Sequence, residues 1–451
     1  MEKANAAVEQ GMISTYSELI ELDKKHFLHP TSPIKQQQEK GATFIFDKGE
    51  GIYLKDIHGN KVIDGLSSLW NVNIGHGREE LGKAAMEQMA RLGFSSCFAT
   101  FSHEPAIRLA AKIAELTPEG LNTIFFTSGG SESNDTAFKL VRHYWKIKGK
   151  PEKKKIISRK RSYHGVAMGA TSATGLKPFR DFTTSLAPDF YYVESTGAAL
   201  RSFIELEGAE TIAAFISEPI QGTGGVHLPP QNYFKEVREI CDEYDILFIA
   251  DEVITGFGRT GTYFGIEQFG VIPDLMSVAK GITSGYAPLG GVILSEKIHQ
   301  DLIEKTEGLF MHGYTYSGHP VSCAVALKNI DIIERESLVE NSRVMGEEML
   351  KGFKWLQQEH SIVGEVRALG LMGAIEIVKN KQTAQRFDKP ISPLIVEESM
   401  KNGLIHRGVI YEGADTLIFA PPLVITKEEI HKMINILDKA LTAVEKQLEL
   451  E

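Results

Sequence analysis

Three groups that could do chemistry follow short apolar runs of the chain. A glycine turn at residues 128–131, with the sequence SGGS, separates an apolar run from a helical stretch. Asp251 directly follows a second run, and Lys280 directly follows a third. A lysine amine can form a Schiff base, a carboxylate can hold a protonated nitrogen, and free amides at a helix start suit a phosphate. Taken singly, each has an ordinary explanation, because such residues also cap helices or lie at the surface.

The elements that would position these groups form a regular alternation from about residue 121 onward. Short runs rich in Ile, Val and Phe alternate with helical stretches, at residues 123–126, 155–158, 213–216, 246–250, 275–279 and 291–294. This pattern is typical of buried strands in a mostly parallel sheet with helices on both faces. Ligands bind such sheets outside the carboxyl ends of the strands. We therefore expect the turn, Asp251 and Lys280 to meet in one crevice.

The two ends of the chain are expected to build a second, smaller domain. Residues 11–29 predict a helix before a proline-rich turn, and residues 43–66 predict a small antiparallel unit that turns at residues 58–60. The remaining predicted elements are helices at 80–92 and 105–116, a long helical stretch from about 322, strands near 371–378 and 416–420, and a last helix at roughly 427–447. We therefore predict an N-terminal segment at 1–75, a large domain at 76–328 and a C-terminal segment at 329–451.

Composition excludes several classes of protein. Of the 451 residues, 42% are hydrophobic, which is enough to bury a sizeable core. The charged share of 24% is close to the average for globular proteins. A net charge of −10 argues against sequence-independent nucleic-acid binding, which needs many cationic contacts to phosphates. Neither a secretory signal nor an apolar run long enough to span a membrane is visible. We expect a cytoplasmic protein without nucleic-acid or membrane partners.

The sequence predicts neither a metal site nor a nicotinamide cofactor. The three cysteines lie far apart and no metal-ligand spacing occurs, so no metal is predicted. Residues 256–261 match G-x-G-x-x-G literally. A dinucleotide fold needs that motif directly after a strand and a helix beginning within it. Residues 251–255 intervene here, and residues 262–264 are a poor helix start, so a nicotinamide cofactor is not expected.

The three groups together point to pyridoxal 5′-phosphate (PLP). This cofactor needs an amine for a Schiff base, a carboxylate for its ring nitrogen and a cradle for its phosphate. A carboxylate against the ring nitrogen favours the protonated ring, which stabilises a carbanion on the substrate. The amine of Lys280, once displaced by substrate, can then move a proton as a general acid and base.

The chain resembles the class III aminotransferases of PLP fold type I over nearly its whole length. The matching segments are residues 69–77, 128–132, 162–165, 217–222, 251–261, 279–281, 313–320 and 420–423. Their order and spacing make the resemblance specific, although each segment alone would be weak. The resemblance implies an α/β fold: a large domain with a mostly parallel sheet flanked by helices, plus a smaller α+β domain from both chain ends.

The resemblance also implies roles around the cofactor ring. Lys280 would carry PLP as the internal aldimine, and Asp251 would hold the ring nitrogen. Tyr163 would stack on one face of the ring, and Val253 would press on the other. Glu218 would lie close to the ring, with a role that varies within the family.

The phosphate contacts implied by the resemblance come from two subunits. Gly130 and Ser131 would bind the phosphate of their own subunit, and Thr315 would reach the phosphate of the partner. The active unit would therefore be a homodimer, with a tetramer left open. Relatives often have serine where this chain has Gly129, so we expect retained phosphate binding with one donor fewer.

Three residues are expected to contact the substrate. Arg407 aligns with the family arginine that grips a carboxylate, and a guanidinium can hold a carboxylate with two hydrogen bonds. Trp70 and Tyr163 would line the space for an aromatic or aliphatic group. This pattern resembles the ω-amino acid and amine:pyruvate branch, which acts on donors of the β-alanine, taurine or arylalkylamine type. We expect (S)-selective transfer of an amino group to pyruvate, a 2-oxo acid, giving L-alanine by ping-pong half-reactions.

Other functions stay open at this point. Residues 26–30 and 67–70 echo the biotin-pathway enzyme that aminates 8-amino-7-oxononanoate from S-adenosylmethionine, but Leu69 and Glu132 depart from its pattern. Branches acting on 4-aminobutyrate, ornithine or glutamate semialdehyde are further alternatives. A non-catalytic scaffold with this fold is disfavoured because both Lys280 and Asp251 are retained.

Overall fold

The computed structural model describes residues 16–449. Its strands are β1 (Phe46–Glu50), β2 (Tyr53–Asp56), β3 (Lys61–Asp64), β4 (Leu121–Thr127), β5 (Lys155–Arg159), β6 (Phe190–Val193), β7 (Ile212–Ser217), β8 (Leu247–Asp251), β9 (Leu275–Val278), β10 (Gly290–Ser295), β11 (Val363–Leu369), β12 (Met372–Ile377), β13 (Leu404–Ile405), β14 (Arg407–Tyr411) and β15 (Ala414–Phe419).

The α-helices are α1 (Tyr16–His26), α2 (Ile34–Lys40), α3 (Ser67–Trp70), α4 (Glu79–Arg91), α5 (Glu104–Leu116), α6 (Gly130–Ile147), α7 (Met168–Ala173), α8 (Lys177–Arg180), α9 (Gly197–Glu207), α10 (Tyr233–Glu243), α11 (Glu296–Lys305), α12 (Pro320–Arg335), α13 (Leu338–Glu359), α14 (Ser392–Lys401) and α15 (Lys427–Glu449). Short 3-10 helices cover Ala209–Thr211, Gly265–Phe269 and Lys280–Ile282. None of the helices within residues 16–449 is both long and apolar enough to cross a membrane.

A seven-stranded sheet forms the centre of the molecule, in the order β4-β10-β9-β8-β7-β5-β6. Strand β10 runs antiparallel to β4 and β9, and the other neighbours are parallel. Every residue of β7 and β8 is buried, as expected for central strands covered on both faces. The predicted mostly parallel sheet and its six apolar runs are therefore confirmed. The edge strand β6 was not predicted, because only Val193 of its four residues is buried.

Two smaller sheets contain both ends of the chain. Strands β11, β12, β15 and β14 form an antiparallel sheet, and β1, β2 and β3 form the predicted antiparallel unit. The two-residue strand β13 adds to this unit in parallel with β3, pairing Leu404 with Ile63 and Ile405 with Asp64. This pairing joins segments more than 300 residues apart, which no local pattern could predict.

Two of the predicted helical regions differ from the structure. The N-terminal helix ends at His26, three residues early, and residues 11–15 lie outside the described residues. The long stretch from residue 322 is two helices, α12 and α13, because the chain turns at Ser337, whose φ of 52° is left-handed. The predicted boundary at 328/329 falls inside α12, so we propose that the large domain ends at the Ser337 turn instead.

The guanidinium of Arg259 links the N-terminal segment to the C-terminal segment through the central domain. It donates to Ser67 Oγ at 3.0 Å and to Asn73 Oδ1 at 2.9 Å. It also donates to the carbonyl oxygens of Leu371 at 3.2 Å and Pro421 at 2.5 Å. The side chain is fully buried, and this burial lowers its pKa to about 9. Four oxygen acceptors from distant parts of the chain thus depend on one cation.

Replacing Arg259 by Met should lower the free energy of unfolding by about 3 kcal/mol or more, because buried acceptors would lose their donor. Urea denaturation followed by tryptophan fluorescence and circular dichroism measures this change. Arg201→Met is the matched control, since Arg201 forms an exposed ion pair with Glu243 and its replacement should lower the free energy of unfolding much less. Equal losses in both variants would contradict the prediction.

Candidate active site

A cavity of about 350 Å³ opens at the carboxyl ends of the central strands. It lies where β4, β8 and β9 end, as the rule for ligands in open α/β sheets predicts. Seven of the predicted site residues line it, namely Gly130, Ser131, Tyr163, Glu218, Asp251, Val253 and Lys280. The structure therefore brings the turn, the carboxylate and the amine into one crevice.

The turn before α6 has the geometry of an anion site. Helix α6 begins at Gly130, and the first amides of a helix have no acceptor within the helix. The Oγ of Ser131 accepts from the backbone N–H of Val166 at 3.0 Å, which leaves its own hydrogen free to donate. A Cβ on Gly130 would lie 2.7 Å from Cγ1 of Val253, so only glycine fits there. These features fit a phosphate at the cavity wall.

The Asp251 carboxylate is held in place by three donors. Its Oδ2 accepts from Asn134 Nδ2 at 2.8 Å and lies 2.7 Å from His164 Nδ1. Its Oδ1 accepts from the backbone N–H of Val253 at 3.1 Å. The residue is buried, so these bonds offset much of the cost of removing the charge from water. A fixed negative charge thus faces the cavity.

Asn134 and His164 were not predicted as site residues. Asn134 lies three residues after Ser131 on the same helix, and His164 adjoins Tyr163, so both carried a positional signal. Asn134 Oδ1 and His164 Nε2 are buried without a hydrogen-bond partner among the described residues. Such orphaned polar atoms are uncommon in protein interiors and are typical of ligand sites.

Lys280 presents its amine to the same cavity. The residue opens a 3-10 helix directly after β9, and its φ of 46° lies in the left-handed region, a strain found at functional sites. Desolvation lowers the pKa of the amine, and the carboxylates of Asp251 and Glu218 partly oppose this change. A lowered pKa increases the fraction of neutral amine, which is the nucleophilic form.

Glu218 is a buried carboxyl whose two oxygens accept backbone hydrogen bonds. Oε1 accepts from the N–H of Tyr163 at 2.9 Å, and Oε2 accepts from the N–H of Gly222 at 3.0 Å. Desolvation raises the pKa of Glu218 to about 7, although the charge of His164 opposes the shift. Its bonds to Tyr163 and Gly222 fix the loop on one side of the cavity.

Tyr163 and Val253 form the two side walls. The Tyr163 ring meets Phe179 edge-on, with centroids 5.1 Å apart, and burial raises the pKa of its phenol. Val253 lies two residues after Asp251, and its side chain packs close to Gly130. A flat ring placed between these walls is consistent with the predicted stacking.

Three predicted residues lie outside the cavity lining. Trp70 is buried in an apolar cluster with Leu66, Ile220 and Ile254, because its left-handed backbone (φ 65°) ends the short helix α3 there. Ile254 lines the cavity, and Trp70 lies in the same cluster behind the cavity wall.

Arg407 and Thr315 are both exposed. Arg407 lies close enough to Tyr163 for its charge to lower the pKa of that phenol, against the effect of burial. Its guanidinium makes no hydrogen bond or ion pair with another residue in the described range. Thr315 lies on a turn that does not line the cavity of its own chain.

Two features of the sequence bear on metal and dinucleotide binding. Residues 16–449 contain no group of three or more side chains suited to hold a metal ion. Residues 256–261 form turns in which no helix begins, and a 3-10 helix follows only at Gly265. The literal glycine motif is therefore not the start of a dinucleotide fold.

The family model for aminotransferase class-III matches residues 34–441. The chain belongs to the class III aminotransferases. Members of this family depend on PLP, so the chain is a PLP-dependent aminotransferase with the fold type I architecture.

Among curated relatives, this aminotransferase is 44% identical to the putrescine–pyruvate aminotransferase of Pseudomonas aeruginosa, covering 93% of this chain and 95% of that protein. It is 40% identical to the β-alanine–pyruvate aminotransferase of the same organism, covering 89% and 92%. A solved transaminase from the marine bacterium Virgibacillus has 55% identity and a TM-score of 0.94, covering 95% and 99%. An (S)-enantioselective omega-transaminase from Thermomicrobium roseum has 43% identity and a TM-score of 0.91, covering 96% and 99%.

The cavity of this aminotransferase fits PLP on structural grounds. Gly130 leaves room for a phosphate beside free helix amides, and the orphaned Asn134 Oδ1 and His164 Nε2 lie around the carboxylate of Asp251. Lys280 supplies the amine in the same cavity. The cofactor roles proposed for these residues follow from this fit.

Gly129→Ser should tighten PLP binding. A Cβ at Gly129 meets no heavy atom within 4 Å, and the φ of 175° is extended backbone that any residue adopts. The added hydroxyl would supply the phosphate donor that this turn lacks, and one such hydrogen bond is worth about 1 kcal/mol. We expect PLP to be lost at least about threefold more slowly in dialysis, followed by absorbance. Gly130→Ser is the control and should weaken binding through its clash with Val253; equal retention in both would contradict the prediction.

The pKa of Glu218 predicts a pH dependence of the apoenzyme. A carboxyl with a pKa of about 7 in the folded state and about 4.5 when unfolded stabilises the fold only while protonated. That contribution is present below pH 4.5 and is lost as the pH rises through 7. Relative to Glu218→Gln, wild type should therefore lose roughly 3 kcal/mol of unfolding free energy over this range. Urea titrations at several pH values measure the difference, and parallel curves would refute it.

Proposed function

We propose that this aminotransferase moves the amino group of an ω-amino acid or amine to pyruvate and produces L-alanine. The observation that carries the proposal is the convergence of an amine, a fixed carboxylate and a helix N-terminus in one cavity. The relatives named for putrescine–pyruvate and β-alanine–pyruvate transfer support pyruvate as the acceptor. Putrescine and β-alanine are proposed as donors from the same comparison, and taurine and arylalkylamines are proposed from the sequence resemblance.

Lys280 and Asp251 perform the central steps. When bound, PLP supplies a carbonyl that bonds to amino groups and a ring that accepts electrons. The Nζ of Lys280 holds the cofactor and, once released, accepts the proton that leaves the amine-bearing carbon of the donor. In the second half-reaction it returns a proton to C2 of the acceptor. The carboxylate of Asp251, fixed by three donors, stabilises a proton on the ring nitrogen.

The remaining cavity residues bind and orient. Gly130 and Ser131 hold the phosphate with backbone amides and one hydroxyl. Tyr163 and Val253 restrict the ring to one plane. Glu218 fixes the Tyr163 loop, and its buried position excludes water from that side.

Arg407 is proposed to let one pocket accept both substrates. Its guanidinium has no partner within the described chain, so it is available to bind the carboxylate of pyruvate or alanine. An amine without a carboxylate would instead occupy the space beside Tyr163, with the indole of Trp70 behind it. The (S)-selectivity named for the Thermomicrobium roseum structure supports (S)-selective transfer here.

An exposed apolar surface supports a homodimer. We call the large exposed side chains of residues 94–101 and 309–316 the interface surface: Phe94, Phe98, Phe101, Leu309, Phe310, Met311 and Tyr316. The two segments are neighbours, because a Cβ on Gly313 would lie 2.8 Å from Cζ of Phe98. Contiguous apolar surfaces of this kind mark interaction sites. Thr315 is exposed between Met311 and Tyr316 of this surface, which supports the proposal that it contacts the cofactor of the partner.

A donor and acceptor panel tests the proposed reaction. Putrescine, β-alanine, taurine and both enantiomers of 1-phenylethylamine are each supplied with pyruvate or 2-oxoglutarate, and alanine and glutamate are quantified. We expect alanine from at least one ω-amine and preference for the (S)-amine. S-Adenosylmethionine with 8-amino-7-oxononanoate tests the biotin-pathway alternative. Glutamate as the sole product, or no change in cofactor absorbance with any ω-amine at normal cofactor content, would overturn the proposal.

Arg407→Ala should impair the half-reaction with pyruvate much more than the half-reaction with an amine donor that has no carboxylate. We expect the KM for pyruvate to rise about 10- to 100-fold, because a charge-assisted hydrogen bond contributes roughly 1.5–3 kcal/mol. The half-reaction with (S)-1-phenylethylamine should change by less than about threefold, since that donor has no carboxylate. Stopped-flow absorbance measures each half-reaction alone. Arg386→Ala is the control. Arg386 is another exposed arginine, which donates to the carbonyl of Glu412 between β14 and β15, and its replacement should leave both rates unchanged. Equal losses in the two half-reactions of Arg407→Ala would refute the assignment.

A further inference from the structure

The segment before Thr315 lies along one side of helix α6. Leu309 and Met311 are almost fully exposed, whereas the rings of Phe310, which is partly exposed, and His312 both contact Phe125. The His312 ring stacks on Phe125, with centroids 5.3 Å apart and an interplanar angle of 14°. The segment is therefore docked between α6 and β4, the two elements that flank the phosphate turn.

Hydrogen bonds join this segment to α6 in a continuous chain. Lys139 Nζ lies 2.9 Å from His312 Nδ1, and His312 Nε2 lies 2.9 Å from Thr136 Oγ1. Thr136 Oγ1 donates to the Tyr314 hydroxyl at 3.5 Å, and that hydroxyl donates to the carbonyl of Glu132 at 3.4 Å. Every donor in the chain has an acceptor if His312 is neutral with its hydrogen on Nε2. The chain passes through Tyr314, the residue before Thr315, and ends on the carbonyl of Glu132.

The surroundings of His312 favour its neutral form. Burial and the charge of Lys139 both lower the pKa of the imidazole. The titratable groups around it are Lys139 and, through Tyr314, Asp135 and Glu132, all on α6. Protonation would place a second donor against the Lys139 ammonium and break the chain at its first bond.

Helix α6 therefore contacts both the glycine turn and the segment that carries Thr315. Its N-terminus carries Gly130 and Ser131, and its side holds the turn that carries Thr315. We propose that Thr136, Lys139 and His312 are positioning residues that place Thr315 for binding the cofactor phosphate of the partner subunit. This inference rests on the proposed homodimer with Thr315 acting between subunits.

A merely structural role would predict a different pattern of damage. If the network only stabilised α6, its loss would disturb Gly130 and Ser131 and weaken PLP binding in the same subunit. If the network positions Thr315, its loss weakens PLP binding in the other subunit. The two roles are therefore distinguished by which of the two sites in one dimer loses its cofactor.

Mixed dimers make this distinction measurable. Two differently tagged chains are co-expressed and purified by both tags. A Lys280→Ala chain cannot attach PLP covalently, so the absorbance of covalently held PLP reports only the other subunit. In the first dimer, His312→Phe is placed on the Lys280→Ala chain; in the second, it is placed on the chain with intact Lys280. The reference dimer pairs Lys280→Ala with wild type, and PLP dissociation constants are measured by absorbance titration.

We expect the dissociation constant to rise about fivefold or more in the first dimer and to stay within twofold of the reference in the second. Thr315→Ala on the Lys280→Ala chain should reproduce the first result. Equal weakening in both dimers, weakening only in the second, or no effect in either would overturn the inference. A wild-type chain that binds no PLP, or stays monomeric, would refute the proposed function itself.

Homodimers of smaller variants add controls that keep the fold intact. Thr136→Val removes the hydroxyl with little change in shape and should weaken PLP binding, whereas Thr136→Ser should restore it. Lys139→Met should weaken PLP binding, but Lys146→Met, an exposed lysine further along α6, should not. Weakening by Lys146→Met equal to that by Lys139→Met would contradict a specific role for the network.

Discussion

The active site depends on keeping one amine and two carboxylates out of water within a single cavity. Desolvation alone would neutralise such groups, as the lowered pKa of Lys280 and the raised pKa of Glu218 demonstrate. The carboxylate of Asp251 is held in position by three donors that converge on its two oxygens. The donors come from Asn134, His164 and the backbone of Val253, which belong to three separate segments of the chain. The position of this carboxylate inside the fold is therefore a tertiary feature, and the chemistry proposed for the site requires it.

The central sheet explains why these groups meet. Parallel strands end at the same edge, so residues at the ends of β8 and β9 lie close together although 29 positions separate Asp251 from Lys280. Strands β4 and β9 are both antiparallel to β10, so β4 runs in the same direction as β9 and ends at the same edge. Helix α6 starts there. The sheet thus determines where these groups lie. The left-handed backbone at Lys280 and the absence of a side chain at Gly130 adjust the local geometry. Each adjustment is a cost that the surrounding buried structure has to offset.

The apolar runs predicted the central strands, and the residues after those runs predicted Lys280, Asp251 and the glycine turn. These predictions succeeded because burial on both faces leaves a continuous local signal. Asn134, His164 and strand β13 were not predicted, because their partners lie far away in the sequence. The burial of Trp70 was also missed, since the turn that ends α3 has no distinct sequence pattern. Local patterns thus predicted the candidate groups that the structure brings into one cavity, and only tertiary structure shows what orients them.

The arginines of the chain illustrate how structure separates stability from recognition. Arg259 is fully buried and has four oxygen acceptors, and Arg367 donates to the carbonyls of Gly225 and Val226. These cations already donate to acceptors within the fold, so binding a ligand would require breaking existing bonds. Arg407 has no such partner, although it lies near Tyr163 at the cavity. A guanidinium that the fold leaves unpaired can exchange water for a substrate carboxylate and release it again at little cost. Reversible binding of that kind is what two half-reactions with different substrates demand, because neither substrate can be held permanently.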